Sequence, residues 1–238
     1  MSAIHFDGVR KLYGTVVAVD GVDLSIEAGS FVGLIGHNGA GKSTCLRMLM
    51  GLLRPTEGRV LVDGIDTSSD PLEARKRLGA VPEEPALYEY LTAREFLEFV
   101  AEVRGAANIT AELELTGLGR DADRMIREYS QGMRRKTALA AAMLGNPSVL
   151  VLDEALNGLD PPSAARVKGA LRQAVDNGQT VLLSTHVIET VQAVSDRVVM
   201  LAHGQVVADE QTASLGAEGL EKLFLERLAE STARTDPP

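Results

Sequence analysis

Gly36-His37-Asn38-Gly39-Ala40-Gly41-Lys42-Ser43-Thr44 lies between the apolar run Phe31-Val32-Gly33-Leu34-Ile35 and a stretch with helical apolar spacing. A phosphate-binding loop needs this order of strand, glycine-rich turn and helix. Glycines let the backbone close around an anion, the amides of residues 38–43 point inward, and Lys42 reaches the outer phosphates. Ser43 is placed to ligate Mg²⁺, and the positive end of the following helix adds to the attraction.

The 238 residues are enough for one sizeable core with small appended subdomains. Hydrophobic content of 45% and charged content of 24% are those of an ordinary globular chain. No apolar run approaches the ~18 residues that span a bilayer. The opening Met1-Ser2-Ala3-Ile4-His5 lacks a basic region followed by an apolar one, so the chain is expected to stay in the cytosol. The net charge of −9 opposes broad nucleic-acid binding, and none is expected. One cysteine, Cys45, excludes an internal disulfide; its position just inside the post-loop helix reads as a small buried hydrophobe.

The alternation Val17, Val19 and then Val22, Leu24, Ile26 predicts an antiparallel β patch over residues 3–26, with a turn at 10–14. A helix is expected over 42–53 and a strand over 59–62; Asp70-Pro71 opens a second helix. Thr92 and Glu95 form a capping box before Phe96, Leu97, Val100 and Val103 at helical spacing, so 92–127 reads as a helical insert. Residues 148–152 and 181–183 are continuous apolar strands on either side of a helix capped by Asp160 and running to 178. Strands alternating with helices imply a mostly parallel sheet covered on both faces. The polar, proline-ended tail 231–238 is expected to fray.

A phosphate loop alone is compatible with kinases, GTPases and many ATPases. Val149-Leu150-Val151-Leu152-Asp153-Glu154 adds an aspartate at a strand end, able to bind Mg²⁺, and a glutamate able to polarise an attacking water. Two solvated acids capping a strand would look the same. Further upstream, Tyr129-Ser130-Gln131-Gly132-Met133 opens an Ala-rich helix, and a serine with a glycine at a helix start makes a second anion-binding surface. One chain has no use for two such surfaces around one triphosphate.

In this order the motifs resemble the ATP-binding subunits of ABC transporters, over about residues 3–210. The resemblance implies an α/β phosphate-loop NTPase core, an N-terminal antiparallel β subdomain and a helical insert at about 83–130, all within one ATP-binding domain over 1–230. It also implies that ATP and Mg²⁺ are the cofactors. Gly36, His37, Asn38, Gly39, Ala40, Gly41, Lys42, Ser43 and Thr44 would hold the nucleotide phosphates, and Tyr13 would stack on adenine. Ser130, Gln131, Gly132 and Met133 would face the nucleotide of a partner subunit, with Asp160 in the loop that crosses between the two. Ser43 and Asp153 would ligate the metal, Glu154 would act as base and His186 would sense the γ-phosphate.

Two positions depart from the family pattern. Glu83 stands where the family has a metal-ligating glutamine, so the ligand oxygen is kept but a negative charge is added beside Asp153 and Glu154. Ala155-Leu156 replaces Pro-Thr after the acidic pair. The Ser-Gln-Gly-Met signature and the segments around 85–92 and 184–199 look most like the export-type (ABC-2) group. The resemblance implies a homodimer that drives a separate integral membrane permease, held at the inner face of the cell membrane. The alternatives are a soluble mechanical ATPase of the same superfamily and an ATP sensor without turnover. The second would not need Glu154 and His186, and the first usually carries two motif sets or long coiled coils.

Overall fold

A computed structural model describes residues 2–235. The chain begins with two antiparallel strands of 12 residues each, β1 (Ser2–Tyr13) and β2 (Val16–Glu27). The expected turn at 10–14 falls instead at Gly14 and Thr15. Bulges take up the irregular stretches of β1 without ending it: Gly8, at φ 56°, marks the register shift between Phe6 and Val9. Alternate residues Ile4, Phe6, Val19, Val22, Leu24 and Ile26 turn inward.

β3 (Phe31–Ile35) is buried throughout and runs straight into the glycine loop and α1 (Lys42–Leu49). α1 stops four residues before the expected end. Gly51 at φ 66° turns the chain, and the amides of Leu52 and Leu53 close back on the carbonyl of Arg47. β4 (Glu57–Val62) and β5 (Ile65–Asp66) then complete a four-stranded sheet in the order β2-β1-β4-β5. Asp70 caps α2 (Pro71–Arg77) by accepting from the Glu73 amide, and β6 (Leu78–Val81) follows.

The helical insert departs from the core here. Both halves of the predicted capping box form at α3 (Ala93–Arg104): the Glu95 amide donates to Thr92 Oγ1, and the Thr92 amide to Glu95 Oε2. The rest of the insert is broken into α4 (Thr110–Thr116) and two 3₁₀ turns, because Gly105, Gly117 and Gly119 take left-handed φ values. Phe96, Leu97, Leu118, Ile126 and Tyr129 give it a small core shared with α5 (Gln131–Met143). The Tyr129 hydroxyl donates to the Asp121 carbonyl at 2.6 Å.

The chain then returns to the core with β7 (Val149–Asp153), α6 (Pro161–Asp176), β8 (Thr180–Ser184), α7 (Ile188–Val194), β9 (Arg197–Ala202) and β10 (Gln205–Gln211). The second sheet has the order β10-β9-β3-β8-β7-β6, with β10 its one antiparallel strand. Val32, Leu34, Val151 and Leu182 face α1 and the N-terminal sheet, while Phe31, Leu150, Leu152, Val181 and Leu183 face α5 and α6. Both faces are apolar, as parallel strands require. The α/β layered architecture expected from sequence is the one found.

The last helix, α8 (Thr212–Thr235), is interrupted at Gly216 and lays Leu220 against Val191, Val198 and Met200. Residues 231–235 of the polar end expected to fray continue this helix, and 236–238 lie outside the described residues.

Helix α5 sits so close to the sheet that a Cβ on Gly79 of β6 would lie 1.9 Å from the Ala142 carbonyl oxygen. Gly79→Ala is therefore expected to lower stability by about 2 kcal/mol or more, the cost of forcing apart a packed layer. Thermal denaturation checks it; an unchanged midpoint would show that α5 shifts freely.

Candidate functional site

At both ends of the glycine loop, neighbouring backbone leaves no room for a side chain. A Cβ on Gly36 would lie 2.4 Å from the Leu201 carbonyl oxygen, and one on Gly41, at φ 105°, 2.7 Å from the Ala18 carbonyl oxygen. From outside, the turn between β9 and β10 braces it: the Gly204 amide donates to Ala40 O at 3.0 Å and Gly204 O accepts from the Asp20 amide at 2.9 Å. No side chain caps α1, so its leading amides are left for a ligand. Cys45 is buried in that helix, which pushes its thiol up to about 12 and keeps it unreactive.

The loop forms one wall of a cleft of about 480 Å³ lined by Val16, Val17, Ala18, residues 38–44, Glu83 and Glu154. Lys42 Nζ donates to Gly36 O at 2.7 Å and to His37 O at 3.3 Å. Burial pushes its ammonium below the usual lysine range, and the carboxylates of Glu154, Asp153 and Glu83 oppose that shift. Three acids from two separate parts of the chain thus act on one lysine.

The opposite wall is built at the end of β7. Asp153 is 3% exposed and accepts from Ser184 Oγ at 2.5 Å, which ties the ends of two adjacent strands. The next residue, Glu154, takes φ 50°, a left-handed conformation that costs a non-glycine residue of order 1 kcal/mol and is found most often at functional sites. Its amide donates to Ser184 O at 3.1 Å. Asn157 Nδ2 donates to Glu154 Oε2 at 2.7 Å, and His186 Nδ1 lies 3.1 Å from both carboxylate oxygens. Glu154 is therefore 9% exposed and held from two sides, an arrangement suited to orienting a water.

Glu83, the departure from the family pattern, is exposed and lines the same cleft as Lys42 and Glu154. Tyr13 does not line the cleft. It stands 47% exposed at the end of β1, with Lys11 Nζ 5.4 Å from its ring centroid, and Val16, Val17 and Ala18 form the wall instead. The His37 ring is turned toward His203 at 5.3 Å between centroids, so its carbonyl, not its imidazole, meets Lys42.

Ser130, Gln131, Gly132 and Met133 lie outside the cleft. Ser130 caps α5 by accepting from the Met133 amide at 3.3 Å, and Gly132 packs under the Gly158 carbonyl. Asp160 caps α6, accepting from the amide and hydroxyl of Ser163 at 2.9 and 2.8 Å. These bonds, the amide first, hold its carboxyl below the usual range. The sequence reading missed Asn157 as the partner of Glu154, although its spacing three residues on was a signal, and it missed the Ser184 bond to Asp153, which pairs strands far apart in sequence.

Among known proteins, the ABC transporter family model matches residues 19–157. The daunorubicin/doxorubicin resistance ATP-binding protein DrrA of Streptomyces peucetius is 38% identical over 240 residues, covering 98% of this chain and 73% of that protein. The ABC transporter ATP-binding protein NatA of Bacillus subtilis is 36% identical, covering 90% of this chain and 91% of its own length. A solved ATP-binding subunit of an ABC transporter superposes with a TM-score of 0.89 at 28% identity, over 95% of this chain and 99% of that one. The cassette MJ0796, solved as a dimer in a post-hydrolysis state with ADP and Pi, gives 0.81 at 29% identity, over 88% of this chain and 98% of that one. A loop, an acidic pair and a signature in this arrangement, on this fold, mark the chain as a member of the ABC transporter family of ATP-binding, ATP-hydrolysing subunits.

Proposed function

We propose that this subunit powers export through a separate integral membrane permease, working as a homodimer at the cytoplasmic face of the membrane. One observation carries the reading: Lys42, Glu83 and Glu154 meet in one cleft while Ser130 and Gly132 lie outside it. In a head-to-tail pair, Ser130, Gln131, Gly132 and Met133 of a second copy complete the cleft, and Asp160 lies in the crossing loop. Export is supported by relatives whose names describe resistance or export, among them the Nod factor export ATP-binding protein I of Burkholderia orbicola, 36% identical over 88% of this chain.

The loop amides of residues 38–44 and Lys42 bind the phosphates. Ser43, Asp153 and Glu83 offer hard oxygen donors, the chemistry Mg²⁺ prefers. Among the described residues no cluster of three acidic, histidine or cysteine side chains could hold a metal by itself. This fits an ion that takes one or two protein carboxylates and completes its shell with phosphate oxygens and water. When bound, Mg²⁺ supplies charge neutralisation at the phosphates. Glu154, oriented by Asn157 and His186, accepts the proton of the attacking water.

Among the described residues no helix is long and apolar enough to cross a membrane, so membrane attachment would run through the permease. Tyr88 and Tyr90 are 60% and 77% exposed on the loop that leaves the core beside Glu83, and Tyr88 is propped by the rings of Phe96 and Phe99. Such rigid, half-wet aromatics suit a protein interface.

Lys42→Ala is expected to weaken ATP binding by about two orders of magnitude, the ~2–3 kcal/mol of its charge-assisted bonds. Titration with a fluorescent nucleotide measures it, and unchanged affinity would refute the role of the loop. Glu154→Gln should keep nucleotide affinity, lower kcat by at least about a hundredfold and accumulate an ATP-bound dimer in size-exclusion chromatography. A monomer that hydrolyses at the normal rate would remove Glu154 from catalysis and the dimer from the scheme. Glu83→Gln should remain active but need more Mg²⁺ for half-maximal rate, since one carboxylate charge is lost. Superimposable Mg²⁺ titrations would place Glu83 outside the metal shell.

A further inference from the structure

Arg135, one turn into α5, sits between two loops and hydrogen-bonds to both. Its Nη2 donates to the Glu83 carbonyl at 3.1 Å, and its Nη1 donates to the Asn157 carbonyl. Among the described residues neither carbonyl accepts from a backbone amide. From Asn157 the connection continues through its side chain to Glu154 and from there to His186. The neighbouring Arg134 pairs with Glu89 at 2.9 Å and so anchors the 82–92 loop to α5, but it does not reach the 154–160 loop. Among the described residues only the Arg135 fork hydrogen-bonds to both, and a planar guanidinium with paired donors fixes the separation of the carbonyls in a way a single ammonium does not.

We propose that Arg135 is a positioning residue for hydrolysis: by holding the backbone of residue 157 against that of residue 83, it sets the direction in which Asn157 presents the Glu154 carboxylate. The inference rests on Glu154 being the base. Arg135 is not itself part of the cleft lining and meets it only at the backbone carbonyl of Glu83, away from the phosphate loop, so its effect falls on the chemical step more than on nucleotide binding. A base displaced by a fraction of an ångström loses rate steeply.

The test compares steady-state ATP hydrolysis and nucleotide affinity of the full chain for Arg135→Ala, Arg135→Lys, Asn157→Ala and Glu154→Gln, with circular dichroism confirming the fold of each. Arg135→Ala is expected to lower kcat roughly ten- to a hundredfold with KM and Kd within about twofold of the parent. Arg135→Lys, which retains the charge but not the fork, should not restore the rate. Combining Arg135→Ala with Asn157→Ala should cost no more than the larger single loss, because both act on one path. Wild-type kcat in Arg135→Ala, full rescue by lysine, or multiplying losses in the double variant would overturn the inference. Should the alanine variant fail to fold, lysine decides alone: a wild-type rate rejects the role and a slow enzyme with normal affinity supports it. Undiminished turnover in Glu154→Gln would sink the underlying reading, whereas an inert Glu154→Gln beside a fast Arg135→Ala sinks only the positioning role.

Discussion

Close approach of bare backbone governs this molecule. The chain between β3 and α1 passes within van der Waals reach of the Leu201 and Ala18 carbonyls, one from the central sheet and one from the N-terminal sheet. Only glycine at 36 and 41 allows it. Because the loop is clamped between the two sheets and tied by Lys42 to its own carbonyls, its amides keep their direction, and an anion bound there meets donors already in place. The cost of that clamp is borne by the surrounding apolar layers, in which Val32, Leu34, Leu46, Met48 and Leu49 are buried.

Electrostatics divides the cleft into two walls. Lys42 lies in a mostly buried position where burial disfavours its charge, and the nearby carboxylates of Glu154, Asp153 and Glu83 favour it. A glutamine at position 83 would leave two such acids. With glutamate, the cleft carries one more negative charge against the same lysine, which favours cations and raises the cost of bringing in a polyphosphate without one. The −9 net charge of the whole chain has the same sign as this local bias. The left-handed Glu154 fits the same picture: three hydrogen-bonding partners hold it in a conformation that a free strand end would relax.

Most of the architecture was readable because it rests on short-range regularities. The buried strands at 31–35, 149–153 and 180–184 are built on the apolar runs 31–35, 149–152 and 181–183, and Asp70, Thr92, Ser130 and Asp160 cap helices as their residue types lead one to expect. The misreadings came where backbone freedom decided the outcome. β1 and β2 stay continuous through bulges that a periodicity count reads as a break, and α1 ends at a left-handed Gly51 although helical spacing continues to Leu53.

Sequence by itself determined the phosphate loop, the acidic pair, the order of elements and the candidate residues from Lys42 to His186, since each depends on residue type and local spacing. Tertiary structure alone decided which of those residues share a cleft, that Asn157 and His186 hold Glu154, and that Arg135 bridges two loops. The reason is physical. A cap or a buried strand is specified within a few residues of chain, whereas a carboxylate's partners across 32 positions, or a guanidinium spanning loops 52 and 22 residues away, exist only once parallel strands and a returning helix have brought remote backbone together.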